Sequence, residues 1–325
     1  MSQQWRDLVK AGAITPALEK KSQIELNEKE NEIEGNVTAV VRWLEKVPYI
    51  TCNSKDEVFI KKFLRYSKYR QLIAQTRIDN YCSVRASAKY GRPDWYNRLE
   101  MNSQHLEKYH QIKGHIPLGF LPDNGPLVIL FRFQNVDYDF LPENLYVRCL
   151  HMMIDYLTSI PAVQISGISL IFDMDGIKKS VLKGWGDRKT TDSYTKYFQE
   201  SLPLRMKHMC FYKEPKRFDV LYKVLEVFLS EKIRKRVHFC SDNMEKLKNA
   251  MPGIDALLPN EYGGSAGTVE EIFESGFQQM KDWCSKNDDF EIYVDDSKRK
   301  ERSLLDRVSE IDTKGSYVKL AKDEF

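Results

Sequence analysis

No run of apolar residues in this chain is long enough to cross a bilayer; the longest, Pro126-Leu127-Val128-Ile129-Leu130-Phe131, is strand-sized. The opening residues Met1-Ser2-Gln3-Gln4-Trp5-Arg6-Asp7 lack the apolar stretch of a secretory signal, so a cytoplasmic protein is expected. Cysteine is sparse and scattered. Cys52, Cys82, Cys149, Cys210, Cys240 and Cys284 form no Cys-x-x-Cys pair, and they read as buried or free thiols, neither a disulfide framework nor a zinc site. The histidines (105, 110, 115, 151, 208 and 238) include no His-x-x-x-His pair. Neither a Gly-x-Gly-x-x-Gly nor a P-loop pattern is present, and Asp173-Met174-Asp175-Gly176 lacks the rest of a calcium loop. Neither a metal nor a cofactor is therefore expected. Excess charge is also missing overall: 50 Lys and Arg face 47 Asp and Glu, a net +3.

That small net charge is unevenly spread. From Arg205 to Arg236 there are ten Lys and Arg against four Asp and Glu, a local +6, so the remainder of the chain sums to −3. Within the block, Arg205 and Lys207 are two apart, on one face of a strand. Lys232 and Arg236 are four apart, on one face of a helix. Each pair alone is more often a solvated face than a site. If the fold brings both together, four cations converge on one anion, as phosphate recognition requires. Between the pairs, Val220, Leu221, Val224, Leu225, Phe228 and Leu229 form an apolar stripe opposite Lys223, Glu226 and Ser230. Such a stripe suits an ordinary surface helix packed on its core. That is the commoner case; the sharper reading is a movable cover over a ligand cavity, or a helix that dips into a membrane interface. Interleaved acids in the basic block, and the lack of any known nucleic-acid module, argue against nucleic-acid binding.

Composition (42% hydrophobic, 30% charged) is that of a globular protein, and the length suits one main core plus a smaller unit. Residues 1–95 carry little β signal. Val58, Ile60, Phe63, Leu64, then Leu72, Ile73, Ile78 and Tyr81 recur at helical spacing, with a break near Tyr66-Ser67-Lys68-Tyr69. Residues 96–285 alternate strand-length runs, Leu127–Phe133 and Ile168–Met174, with helical patterns, which predicts an α/β layer fold. Thr268-x-x-Glu271 is a capping box for a last helix through Met280. Residues 286–325 read as a charged, solvated tail. Gly263-Gly264-Ser265-Ala266-Gly267 matches the hydrolase pattern Gly-x-Ser-x-Gly, but Pro259-Asn260-Glu261-Tyr262 precedes it where a nucleophile elbow needs an apolar strand. A non-enzymatic protein is expected.

Pro203-Leu204-Arg205, Glu214-Pro215, Phe228-Leu229-Ser230-Glu231-Lys232 and Leu258-Pro259-Asn260-Glu261-Tyr262-Gly263-Gly264 resemble the CRAL-TRIO lipid-binding family, closest to its tocopherol- and retinoid-carrying branch. Gly167-Ile168-x-x-Ile171-Phe172-Asp173-x-x-Gly176 and Phe63-Leu64-Arg65-Tyr66-Ser67-Lys68-Tyr69 are similar too, and the likeness spans about residues 40 to 280. The resemblance implies an α/β fold: an N-terminal helical module, then a CRAL-TRIO domain with a mostly parallel sheet. Helices lie on one side of that sheet and a gated apolar cavity on the other. It implies a cleft for phosphatidylinositol phosphates at Lys68, Arg205, Lys207, Lys232 and Arg236. It implies cavity positions at Ile168, Phe172, Tyr194, Tyr197, Phe198, Leu202, Leu204, Met206 and Met209, several of which could equally fill core. Leu150 and Ile154, on a helix from about Glu143 to Ser159, stand where relatives carry ligand-orienting serines, so tocopherol itself is a doubtful cargo. His151, Tyr156 and Thr158 are the nearby polar candidates. The gate helix would run from about Pro215 to Leu229, with Phe218, Leu221, Val224, Leu225 and Phe228 on it, and Lys213 adds a cation at its hinge.

The implied function is to bind a small hydrophobic lipid, tocopherol-, retinoid- or carotenoid-like, in a closed cavity and transfer it between membranes. Phosphatidylinositol phosphate at the basic cleft would promote gate opening. The implied partners are that lipid and an anionic membrane surface, touched transiently by a cytoplasmic monomer. The alternative is a phospholipid or phosphoinositide exchanger, or a sensing adaptor, without a dedicated small cargo.

Overall fold

The structure is a computed structural model that describes residues 14–299, apart from 54, 217, 228, 288 and 289. Four helices open the chain: α1 Pro16–Leu26, α2 Glu30–Lys46, α3 Glu57–Tyr66 and α4 Gln71–Ala86. Thr15 and Asp56 cap α1 and α3 through their side chains. Between α3 and α4, Lys68 (φ 51°) and Tyr69 (φ 60°) are both left-handed, a conformation that non-glycine residues adopt at a cost of about 1–2 kcal/mol each. That turn is the break read from the sequence. Ile60, Phe63, Leu64, Ile78 and Tyr81 are buried, whereas Val58 and Leu72 of the same pattern face water.

Two features depart from an all-helical module followed by a loose tail. Ile50–Cys52 forms strand β1, paired antiparallel with Ile292–Val294. Arg299 then reaches back to Asp79 at 2.6 Å and to the Ser83 hydroxyl at 2.5 Å. Alternation over three residues is too short to read as a strand, so this return was invisible in the sequence. The remainder of the expected tail lies outside the described residues.

The central sheet is assembled from β2 His115–Phe120, β3 Leu127–Arg132, β4 Ile168–Asp173, β5 Met206–Tyr212 and β6 Val237–Ser241, in the order β2-β3-β4-β5-β6. Only β2–β3 is antiparallel; the other pairs are parallel. One sheet face is covered by α6 (Glu143–Ser159), by α10 (Phe218–Glu226), and by α13 (Val269–Lys286), which packs on β2 where Gly276 meets Pro117. The opposite face, bearing Asp173, Tyr212 and Cys240, is covered by α12 (Met244–Ala250) and the turns leading to Tyr262, whose hydroxyl donates to Asp173. All six cysteines are buried free thiols. The capping box at Thr268 and Glu271 is present, and α13 runs past Met280 to Lys286.

Three buried arginines fasten the N-terminal helices to the sheet domain. Arg65 holds Glu28 at 2.7 and 2.8 Å and the Gln164 side chain at 2.6 Å. Arg77 donates to the carbonyls of Leu202 (2.9 Å) and Gln199 (2.7 Å). Arg85 grips both oxygens of Asp155 at 2.9 and 2.5 Å, and that attraction keeps the Asp155 carboxyl below its usual range despite burial pushing it up. Arg85→Ala leaves Asp155 buried and unpaired. Urea denaturation should then show a loss of about 3–5 kcal/mol, and a loss below about 1 kcal/mol would show that the pair is no fastening.

Candidate functional site

A short connection fixes the first cation. Gly167 (φ 80°) ends α7 (Pro161–Ser166) so closely against the next strand that a Cβ there would lie 2.3 Å from the Arg205 carbonyl oxygen. Ile168 N–H then donates to that oxygen at 2.9 Å, which locks Arg205 immediately before β5. The Arg205 guanidinium donates to the Ile165 carbonyl, leaving its buried Nε with no partner among the described residues. Lys207 follows on β5. Arg236 stands just after α11, a single turn covering Glu231–Arg234, and donates to the Met206 carbonyl. The helical face expected to carry both Lys232 and Arg236 is thus cut short, because β6 begins at Val237. Lys68, on the left-handed turn, arrives from the N-terminal module.

The five basic residues implied by the resemblance converge. Lys232 is exposed as a residue, but its amine is partly shielded. Partial burial, then Arg236, Lys68, Arg205 and Lys207, push its amine down to about 8. One acid lies among them: Glu25 of α1, at 3.4 Å from Arg205, 3.7 Å from Lys207 and 3.6 Å from Lys21. Burial pushes the Glu25 carboxyl up, but Lys21, Lys207 and Arg205 together hold it below the ordinary range. Lys21 is a sixth cation. Lys21-x-x-x-Glu25 looks in the sequence like any helix surface pair, so neither residue stood out.

Beside this cluster lies α10. Phe218 is buried against Phe211 (ring centroids 5.0 Å apart), and Tyr222 packs edge-on to Phe239 (4.8 Å). Leu221 and Leu225 are half-buried, while Val220 faces solvent at 58% exposure and Val227 at 72%. The helix ends at Glu226, short of the expected Leu229; Phe228 lies outside the described residues, as does the side chain of Val224. Lys213 at the hinge is paired with Asp175 at 3.0 Å. The Ser230 N–H, just beyond α10, donates to the Gln199 side chain at 2.7 Å. Gln199 sits in a π-helix, Lys196–Ser201, held from behind by Arg77. Such insertions recur at functional positions.

Between α6 and the central sheet lies a small apolar cavity. The enclosed apolar cavity is about 10 Å³, room for about one water, whereas lipid-sized ligands need several hundred. Leu150, Ile154, Ile168, Phe198 and Leu204 line it, as expected positions; Met153, Leu157, Ile129, Phe131, Leu170 and His115 line it as well. The other expected positions do not. Phe172 stacks in a row with Phe131 and Phe211, Tyr194 lies on Trp95, and Tyr197 lies edge-on to His151. Leu202 is buried beneath its bond from Arg77, and Met206 and Met209 pair across the sheet with Ile168 and Leu170. The polar candidates on α6 are all engaged elsewhere. His151 Nδ1 lies 2.9 Å from the Trp95 carbonyl, Tyr156 donates to Gln279 at 2.7 Å, and Thr158 donates to the Asp155 carbonyl at 2.9 Å. The Gly-x-Ser-x-Gly match falls in the turn after Asn260–Tyr262, with no strand before it, so Ser265 has no elbow.

Residues 119–264 match the CRAL/TRIO domain. A human protein named alpha-tocopherol transfer protein-like is 25% identical over 264 residues, covering 79% of this chain and 73% of its own. Rat clavesin-2 is 24% identical over 305 residues, covering 92% and 86%. The crystal structure of Sfh5 superposes with a TM-score of 0.43 at 12% identity, covering 84% of this chain and 99% of that one, a likeness too distant to add to the domain match. No helix among the described residues is long and apolar enough to cross a membrane.

The Lys232 amine should titrate near pH 8 when its side-chain carbon shifts are followed by NMR. An unfolded lysine titrates near ~10.4. Between those values the unfolded chain binds more protons, so this residue's contribution to stability rises with pH across that window. Lys68→Met and Arg236→Met should each move the titration upward; an unperturbed value in the unsubstituted protein would contradict the convergence.

Proposed function

We propose that this chain, whose residues 119–264 form a CRAL/TRIO domain with the lipid-binding character of that family, takes up a small hydrophobic lipid and moves it between membranes. In this reading an anionic headgroup, such as that of a phosphatidylinositol phosphate, binds the basic cluster and favours the open gate. The observation that carries it is the convergence of Lys68, Arg205, Lys207 and Arg236 on Lys232, directly beyond the amphipathic helix α10. A site where several cations outnumber the Glu25 carboxylate, and where a buried Arg205 Nε has no partner among the described residues, suits a phosphate better than any neutral ligand. Exposed Val220 and Val227, near half-exposed Phe239, give the gate an outer apolar surface for a membrane.

Energetics explain why a gate is useful. A prenyl-type lipid buries on the order of 400 Å² of apolar surface, about 10 kcal/mol at ~25 cal/mol per Å². A bilayer offers nearly the same, so cavity and membrane roughly tie, and the barrier to exchange sits in opening the door. Headgroup binding shifts that door only through a difference in affinity between its open and closed states. The path for such a difference is short: Lys232 lies two residues beyond Ser230, whose N–H anchors the end of the gate segment to Gln199.

A second reading has one observation in its favour. The closed interior has space for about one water, which would suit a phosphoinositide-sensing adaptor with no dedicated cargo. Organic extraction of the purified protein separates the two, since a carrier releases a stoichiometric lipid and an adaptor does not. For the gate itself, Lys232→Glu combined with Arg236→Glu should slow vesicle-to-vesicle transfer by roughly tenfold or more, with cargo affinity nearly unchanged. Unaltered transfer would refute the coupling.

A further inference from the structure

One register of the central sheet carries an aromatic row that is polar at a single end. His115 pairs with Phe131, Phe131 with Phe172, Phe172 with Phe211, and Phe211 with Phe239. One side chain from each strand thus stands in line, spanning about 19 Å at ~4.8 Å per strand. Phe211 and Phe239 lie beneath the gate helix, packed on Phe218 and Tyr222. At the far end His115 is buried, edge-on to Phe131 at 4.6 Å, and lines the apolar cavity.

The protonation state of His115 follows from its surroundings. Burial, then His151, push its imidazole down to about 3, so the ring is neutral near pH 7 and carries one N–H. Its Nδ1 lies 2.8 Å from the Tyr109 hydroxyl. Burial keeps that phenol protonated, and its hydroxyl has no other acceptor among the described residues; donation to Nδ1 is therefore the arrangement that leaves no phenol proton unpaired, and it places the ring proton on Nε2. Nε2 makes no hydrogen bond among the described residues. The Tyr146 hydroxyl, on a ring 4.8 Å away, is also buried and unpartnered among them. Every other residue lining the cavity is apolar.

We propose that His115 is the polar anchor of the cargo, donating its Nε2–H to an oxygen at one end of an otherwise apolar, uncharged lipid whose tail lies along the aromatic row toward the gate. This inference rests on the lipid-carrier reading above. A terminal hydroxyl, carbonyl or ether oxygen satisfies the donor, whereas a hydrocarbon leaves it unpaired in an apolar site. A carboxylate is disfavoured because no cation lines the cavity.

Phytol and phytane share a carbon skeleton and differ by one hydroxyl, so competition binding with this pair isolates the contact. The full-length protein should prefer phytol by roughly tenfold. His115→Leu should abolish that preference by weakening phytol alone, and His115→Gln, which keeps a donor, should retain part of it. Equal binding of the two lipids, or a preference that survives His115→Leu, overturns the anchor while leaving a carrier intact. Saturable binding of neither lipid removes the carrier reading and the anchor with it. Should the variants fold poorly, imidazole ¹⁵N NMR on the unsubstituted protein gives an independent readout. An Nε2–H tautomer whose proton moves downfield on adding phytol supports the anchor; an Nδ1–H tautomer, or no shift, overturns it.

Discussion

Like charges held together against their repulsion set the terms for this molecule. Lys232 stands among Lys68, Arg205, Lys207 and Arg236, with Glu25 as the carboxylate between Arg205 and Lys207. Left to themselves in water, those side chains would splay apart. They stay close because Arg205 and Arg236 are tethered to the carbonyls of Ile165 and Met206, and because Lys68 is fixed on a turn of two left-handed residues. The scaffold therefore bears a repulsion that a bound polyanion would relieve.

The N-terminal helices take part in the site. They supply Lys68, Lys21 and Glu25 to the cluster, and through Arg77 they support the π-helix that contributes Phe198 to the cavity wall. That π-helix in turn receives the Ser230 N–H at the end of the gate segment. The Ser230–Gln199 contact thus links the segment carrying Lys232 to the π-helix that supplies Phe198 to the cavity wall. Phe211 and Phe239 of the aromatic row pack beneath α10 on Phe218 and Tyr222.

Much of this was legible in the residues themselves. The strand cores at Leu127 and Ile168, the capping box and the break at Lys68 follow from local periodicity and turn chemistry, which depend on near neighbours only, whereas the helix over Glu143–Ser159 came with the resemblance. Convergence of the cations was suggested by spacing but needed the resemblance to unite Lys68 with residues far along the chain. What stayed hidden depends on tertiary placement. His115 is one histidine in a short strand, and only its register opposite Phe131 and its contact with Tyr109 set it apart. Val220 belongs to the apolar stripe by spacing yet faces water, since the surface beneath α10 is claimed by Phe218, Leu221 and Tyr222. Pairing of Ile50–Cys52 with Ile292–Val294 joins distant segments that carry no local sign of one another.

Hydrogen exchange along residues 218–226, with neutral vesicles and with vesicles carrying a phosphatidylinositol phosphate, tests most directly whether the cation cluster governs the gate. Faster exchange in that helix on the charged vesicles, with β3 and β4 unchanged and the effect lost in the Lys232→Glu, Arg236→Glu variant, is the expected result. Identical protection of the helix on both kinds of vesicle would contradict it.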